Sequence, residues 1–401
     1  MSDPRPDSAA DSPRRGPLVG RRTLAFVVAL VALELVLKHG FGYGWWTVTE
    51  QSERYGWRML PHQAGRSRDL SVAEDINGWG FRDREWPAPV QDADGTWVKD
   101  PDVYRVAMVG NSMTYGTSVP IEDSYGRQLE RLLRERLDAA GDARRVEVMN
   151  FAVQGYVFEQ MARVYDDLIR RWRPDLMVVP FHPHDVMPMR PAVDDADYDL
   201  RTWVLRTATY DWLNRHVINH WLPRVPPPPK ERCAIDWDGL DLFITQQPFD
   251  KANRPWWDQA RERMEQLQET VEADGGRLLI CSLPRWRKIF RPKIHGAELT
   301  WRPWVWERRE QVLHCEPFPR FREAMTDLAA EMTAKGLGEG STHDLSTLTW
   351  TDAQGVEHPG TELDHGAESP FLLDDMGHYT ALGHRLVAEA LRDTLVEAGL
   401  P

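Results

Sequence analysis

Ser112, Asp375 and His378 are the residues of this chain whose types and placement could carry nucleophilic acyl chemistry. Ser112 lies in Gly110-Asn-Ser-Met-Thr-Tyr-Gly116, where the apolar run Val103 to Val109 gives way to a turn. A serine hydroxyl is a weak nucleophile until a base takes its proton, and an imidazole does so best when a carboxylate fixes its tautomer. Asp375-Met-Gly-His378 supplies both groups on one local turn, just ahead of the terminal helix. Each piece also has a plainer reading. Ser112 could simply cap a helix, and acids at a helix start suit its macrodipole. His384 is a competing base, but it sits a turn and a half into the helix, where packing or capping suits it better.

Two further segments bear on the same chemistry. Asn150-Phe-Ala-Val-Gln-Gly155 follows a second apolar run, and the Gly155 amide could point at a developing oxyanion. Phe181-His-Pro-His-Asp185 follows a third. Its two histidines and aspartate are metal-ligand types, but His182 and His184 are only two apart. His343-Asp344 is the one plausible complement, so the segment is read as metal-free. Taken singly each segment is a weak signal; together they place four strand ends around one crevice.

The elements that must position these residues follow from periodicity. Val103–Val109, Val146–Asn150, Leu176–Phe181 and Arg277–Leu283 read as buried strands. Between them, 124–139, 157–172 and 257–273 carry apolar residues at helical spacing, and a last helix spans about 380–398. Strands alternating with helices predict an α/β fold: a three-layer α/β/α sandwich on a parallel central sheet. In such sheets ligands bind at the carboxyl ends of the strands. Residues 186–256 form an insertion, and ten of the 18 Trp fall between Trp203 and Trp306.

The N-terminal region has a different character. Residues 1–20 read as a disordered tail and 21–46 as a transmembrane signal anchor. Arg14, Arg15, Arg21 and Arg22 would hold the N-terminus in the cytoplasm and place the bulk of the chain outside. A cleaved signal peptide and a buried soluble helix are the competing readings, and Glu34 counts against a span. Residues 47–100 form a lead-in of short strands and turns, whose clearest piece is Asn77-Gly-Trp-Gly-Phe-Arg-Asp-Arg-Glu85. The main domain is 101–398. A net charge of -13 over 401 residues argues against a nucleic-acid partner. Cys233, Cys281 and Cys315 show no metal or redox spacing, and spacing leaves a Cys233–Cys315 disulfide open.

Together these segments resemble the SGNH/GDSL hydrolase family. Residues 110–116 look like its first block, Gly155 like the glycine of its second, 181–185 like its third and Asp375–His378 like its Asp-x-x-His block. The segment 77–85 is similar to that of bacterial membrane-anchored members. The resemblance implies a flavodoxin-like sheet and acyl transfer through an acyl-serine, with no cofactor or metal. His378 would act as base and Asp375 as its orienting acid. Ser112, Gly155 and His184 would form the oxyanion hole. Two positions depart from the pattern: Asn111 replaces an Asp, and His184 replaces an Asn that donates to the oxyanion.

The expected activity is hydrolysis of carboxylic esters, with acyl groups on a carbohydrate or envelope polymer as the substrate class. An O-acyltransferase would use the same triad. A catalytically weak envelope- or glycan-binding module is the reading from a different class, motivated by His184.

Overall fold

The computed structural model describes residues 18–41, 43–44, 49–66, 72–117, 119–189, 207–213, 216–217, 253–284, 298–324, 326, 349–351, 357–359 and 378–400. The chain divides into two compact units, 1–45 with 195–229, and 46–194 with 230–401.

In the first unit α1 (Leu18–Leu35) runs into a π-helical turn, Val36–Gly40. The stretch Arg22–Gly40 is long and apolar enough to cross a membrane. Its side chains, Leu24, Phe26, Val28 and Leu30 among them, are exposed rather than packed in a core. Glu34 is not a bare carboxylate on this helix. It accepts the backbone N–H groups of Ala208 (2.6 Å) and Thr209 (2.9 Å) and the Thr209 hydroxyl (2.9 Å). These amides open the short helix Ala208–Leu213, whose first N–H groups lack intrahelical partners. The carboxylate that counted against a span is therefore satisfied within its own unit.

The second unit holds the sheet. Three antiparallel pairs come first: β1 (Thr49–Ser52) with β2 (Gly56–Met59), β3 (Gln63–Arg66) with β4 (Ala73–Ile76), and β5 (Val90–Gln91) with β6 (Trp97–Val98). Then follow β7 (Val103–Gly110), α2 (Ser112–Tyr115), α3 (Tyr125–Ala140), β8 (Arg145–Ala152), α4 (Phe158–Asp167) and β9 (Leu176–Phe181). The chain continues through α5 (Arg254–Ala273), β10 (Arg277–Ser282), α6 (Glu298–Glu307), β11 (Val312–Cys315) and α7 (Ala381–Glu397). Five strands pair in parallel in the order β11-β10-β9-β7-β8. Numbered by their order in the chain, this is the flavodoxin-like 2-1-3-4-5 arrangement read from the other edge.

Both faces of the sheet are covered, as the fully buried strands β7 and β9 require. Ala107 and Val109 of β7 point into one core with α4, α5 and α6, while Val106 and Met108 point into another with α3 and α7. Met59, Ile76, Phe81 and Trp86 from the lead-in belong to the first core. So do Trp257, Trp301 and Trp304. Trp257 and Trp301 pack against Phe181, Trp304 packs against Trp301, and all three are buried rather than presented to solvent for stacking on sugars.

Periodicity found four of the five strands. It missed β11, which has four residues at the sheet edge, two of them only partly buried. Cys315 on β11 pairs in register with Cys281 on β10, and both are free buried thiols. Cys315 thus stands beside Cys281. Cys233, the partner that spacing left open for it, lies outside the described residues.

Candidate active site

The site is built at the carboxyl end of β7. Gly110 ends the strand with no room for a side chain, since a Cβ there would lie 1.9 Å from Thr114 Oγ1. Asn111 follows as the N-cap of α2, its Oδ1 accepting the Met113 N–H at 3.0 Å. Ser112 is therefore the first residue of a one-turn helix, half-buried, at the mouth of the sheet. Gly116 closes the turn in the left-handed region, φ 77°.

His378 reaches this serine from the other end of the chain. Its Nε2 lies 2.8 Å from Ser112 Oγ. A hydrogen bond of this length is what transfer of the hydroxyl proton to the imidazole requires. The backbone beside His378 is pinned: Tyr379 donates its hydroxyl to Pro284 O at 2.7 Å, and the Thr380 hydroxyl caps α7 through Gly383 N–H at 3.3 Å. Asp375 lies outside the described residues.

Gly155 and His184 occupy the loops after β8 and β9, the two strands that flank β7. Gly155 has φ 76°, and a Cβ there would come 3.2 Å from the Trp57 ring. Trp57 also donates to Gln154 O at 3.2 Å, so the lead-in braces this loop. His184 sits in a 3-10 turn, Pro183–Val186, its N–H donating to His182 Nδ1 at 3.3 Å. Among the described residues no group of three or more His, Cys, Asp or Glu could hold a metal ion. His343 and Asp344 lie outside them.

His384 is buried and structural. Its Nδ1 accepts the Tyr125 N–H at 3.2 Å. Burial first, then the nearby Arg82 guanidinium, push its pKa down to about 3, which keeps the ring neutral.

Asp185 has a role that its type and spacing did not reveal. Its Oδ1 accepts Asn111 Nδ2 at 2.9 Å and its Oδ2 accepts the His182 N–H at 2.7 Å. It is fully enclosed, and burial pushes its carboxyl up to about 7 against the opposing pull of these two hydrogen bonds. The Asn111 amide thereby ties the turn that carries Ser112 to the loop that carries His184. An Asp at 111 would instead face a second carboxylate. This accounts physically for the amide at that position.

No protein-family model matches the chain, and no curated protein matches it. Solved structures do. The chain is similar to a variant of an acetyl-xylooligosaccharide esterase from Geobacillus, at 12% identity and TM-score 0.37, covering 74% of this chain and 95% of that one. It is similar to a psychrotrophic esterase from Pseudoalteromonas, at 9% identity and TM-score 0.33, covering 74% and 98%. A GDSL-like lipase from Bacteroides thetaiotaomicron shares 12% identity at TM-score 0.31, covering 74% and 89%. At these identities and TM-scores the chemistry has to be argued from the site itself.

Proposed function

We propose that this chain is a serine esterase of the SGNH/GDSL type, anchored in a membrane by its N-terminal helix with the second unit outside the cytoplasm. The observation that carries the reading is the 2.8 Å hydrogen bond between His378 Nε2 and Ser112 Oγ at the carboxyl edge of a parallel sheet. Ser112 attacks the ester carbonyl as His378 takes its proton. His378 then protonates the departing alcohol and later activates the water that releases the acid. Asp375 orients His378 through Nδ1. The amides of Ser112 and Gly155, with a donor from His184, stabilise the oxyanion; each such donor is typically worth about 100- to 1,000-fold in rate.

The arginines ahead of Arg22–Gly40 set the orientation of the anchor. A domain so placed meets acylated envelope polymers and glycans, which makes them the esters to screen first.

The test is turnover of p-nitrophenyl acetate and of acetylated glycans by the full chain in detergent. Ser112→Ala and His378→Ala, each folded by circular dichroism, should lose about 1,000-fold or more in kcat. Undiminished turnover in Ser112→Ala would sink the assignment. Glycan binding that survives Ser112→Ala, with no ester turned over by wild type, would favour a binding module.

A further inference from the structure

The segment 77–85 takes no part in the proton transfers above, yet its Arg82 reaches the nucleophile helix. Arg82 is 1% exposed. Its guanidinium donates to Tyr115 O at 3.2 Å, Gly116 O, Val119 O at 2.8 Å and Ala73 O at 3.0 Å. Tyr115 ends α2, and Gly116 is its C-cap.

A helix of four residues cannot stand on its own hydrogen bonds, and its last carbonyls have no partners within it. In this protein the partners come from outside. Ser112 O accepts the N–H of the C-cap Gly116 and, from beyond the helix, the Thr117 N–H at 3.2 Å and hydroxyl at 3.1 Å. Thr114 O accepts Asn150 Nδ2 at 3.0 Å. Tyr115 O and Gly116 O accept Arg82. Asn150 is held in turn by Asp83, which accepts its N–H at 2.9 Å and the Trp86 indole at 3.0 Å. Neighbouring residues of one turn therefore fix the end of α2, Arg82 directly and Asp83 through Asn150. The guanidinium also lies 5.3 Å over the Tyr115 ring.

We propose that Arg82 is a positioning residue, holding the carboxyl end of the helix that begins at Ser112 and so setting Oγ against His378. This rests on the hydrolase reading. The planar fork matters as well as the charge, because one ammonium cannot reach Ala73 O and the carbonyls of the 115–119 turn together.

The experiment compares Arg82→Gln, Arg82→Lys and Arg84→Gln in the full chain in detergent. Arg84 turns the other way and pairs with Glu130 of α3 at 2.9 Å, so its variant controls for loss of stability alone. Arg82→Gln should lose about 100-fold in kcat and in the rate of fluorophosphonate labelling at Ser112, the scale of a small misplacement, with KM within about threefold. Arg82→Lys should recover part of that loss. Arg84→Gln should melt lower with kcat near wild type. If Arg82→Gln does not fold, Arg82→Lys decides alone, with a loss of about tenfold expected. Wild-type kcat and labelling in whichever Arg82 variant is folded would overturn the proposal. A wild type that neither labels nor turns over any ester would overturn the hydrolase reading, and this one with it.

Discussion

Asn111 donates its side-chain amide to Asp185 at 2.9 Å in a buried contact that joins the loops after β7 and β9. One loop carries Ser112 and the other carries His184. The pairing needs a donor at 111, since Asp185 also accepts the His182 N–H at 2.7 Å.

Replacing that donor should therefore be more damaging than its size implies. Asn111→Asp keeps the volume and the N-cap but sets two carboxylates together in a buried site, where one must stay protonated. The expected result is a loss of about 2–4 kcal/mol in stability and a fall in kcat, both growing as pH rises above 7. Denaturant melts and ester turnover at pH 6 and pH 8 measure this. Equal behaviour of the variant and wild type at both pH values would contradict the pairing.

The raised carboxyl of Asp185 has a signature of its own. Its folded-state value of about 7 lies above the ordinary carboxylate value of 3.8. The native state then binds more protons than the unfolded state between about pH 4 and 7. This contribution to stability is fully present below about pH 4 and is lost as pH rises through 7. Asp185→Asn removes the titration, so the slope of stability against pH between 5 and 8 should flatten in the variant. An unchanged slope would show that Asp185 does not hold its proton there.

Gly110 is required by space. A Cβ would lie 1.9 Å from Thr114 Oγ1, and Thr114 is fixed by the Tyr125 hydroxyl at 2.5 Å. Gly110→Ala should cost about 1–3 kcal/mol and displace α2. Pairing it with Thr114→Ala should restore little of the stability, because Thr114 Cβ, 2.3 Å from the added Cβ, remains in the clash. A melting temperature of Gly110→Ala equal to wild type would contradict the packing described.

The legible parts of the fold were those with local signatures. β7, β8, β9 and β10 are short apolar runs ended by turn residues, and α3 carries its N-cap at Ser124. Gly110, Ser112, Gly155 and His378 stand at element ends, where a residue type and its spacing can be read directly. β11 was not legible, because a four-residue edge strand containing a histidine lacks an apolar run. Nor were the roles of Arg82 and Asp185. The carbonyls that Arg82 reaches on the far side lie 33, 34 and 37 residues away, and Asn111 lies 74 residues from Asp185. Such partners are chosen by the fold rather than by neighbouring sequence. Glu34 is the same case: its partners, 174 and 175 residues on, convert a carboxylate that argued against a membrane helix into a helix cap.

If Ser112 is an activated nucleophile, a fluorophosphonate probe will modify it covalently. The full chain in detergent is labelled and digested, and the modified peptide is identified by mass spectrometry, alongside Ser112→Ala and His378→Ala. A single modification on Ser112 is expected, absent in Ser112→Ala and slowed by about 1,000-fold or more in His378→Ala. Labelling at another residue, or labelling of Ser112 at the wild-type rate in His378→Ala, would contradict it.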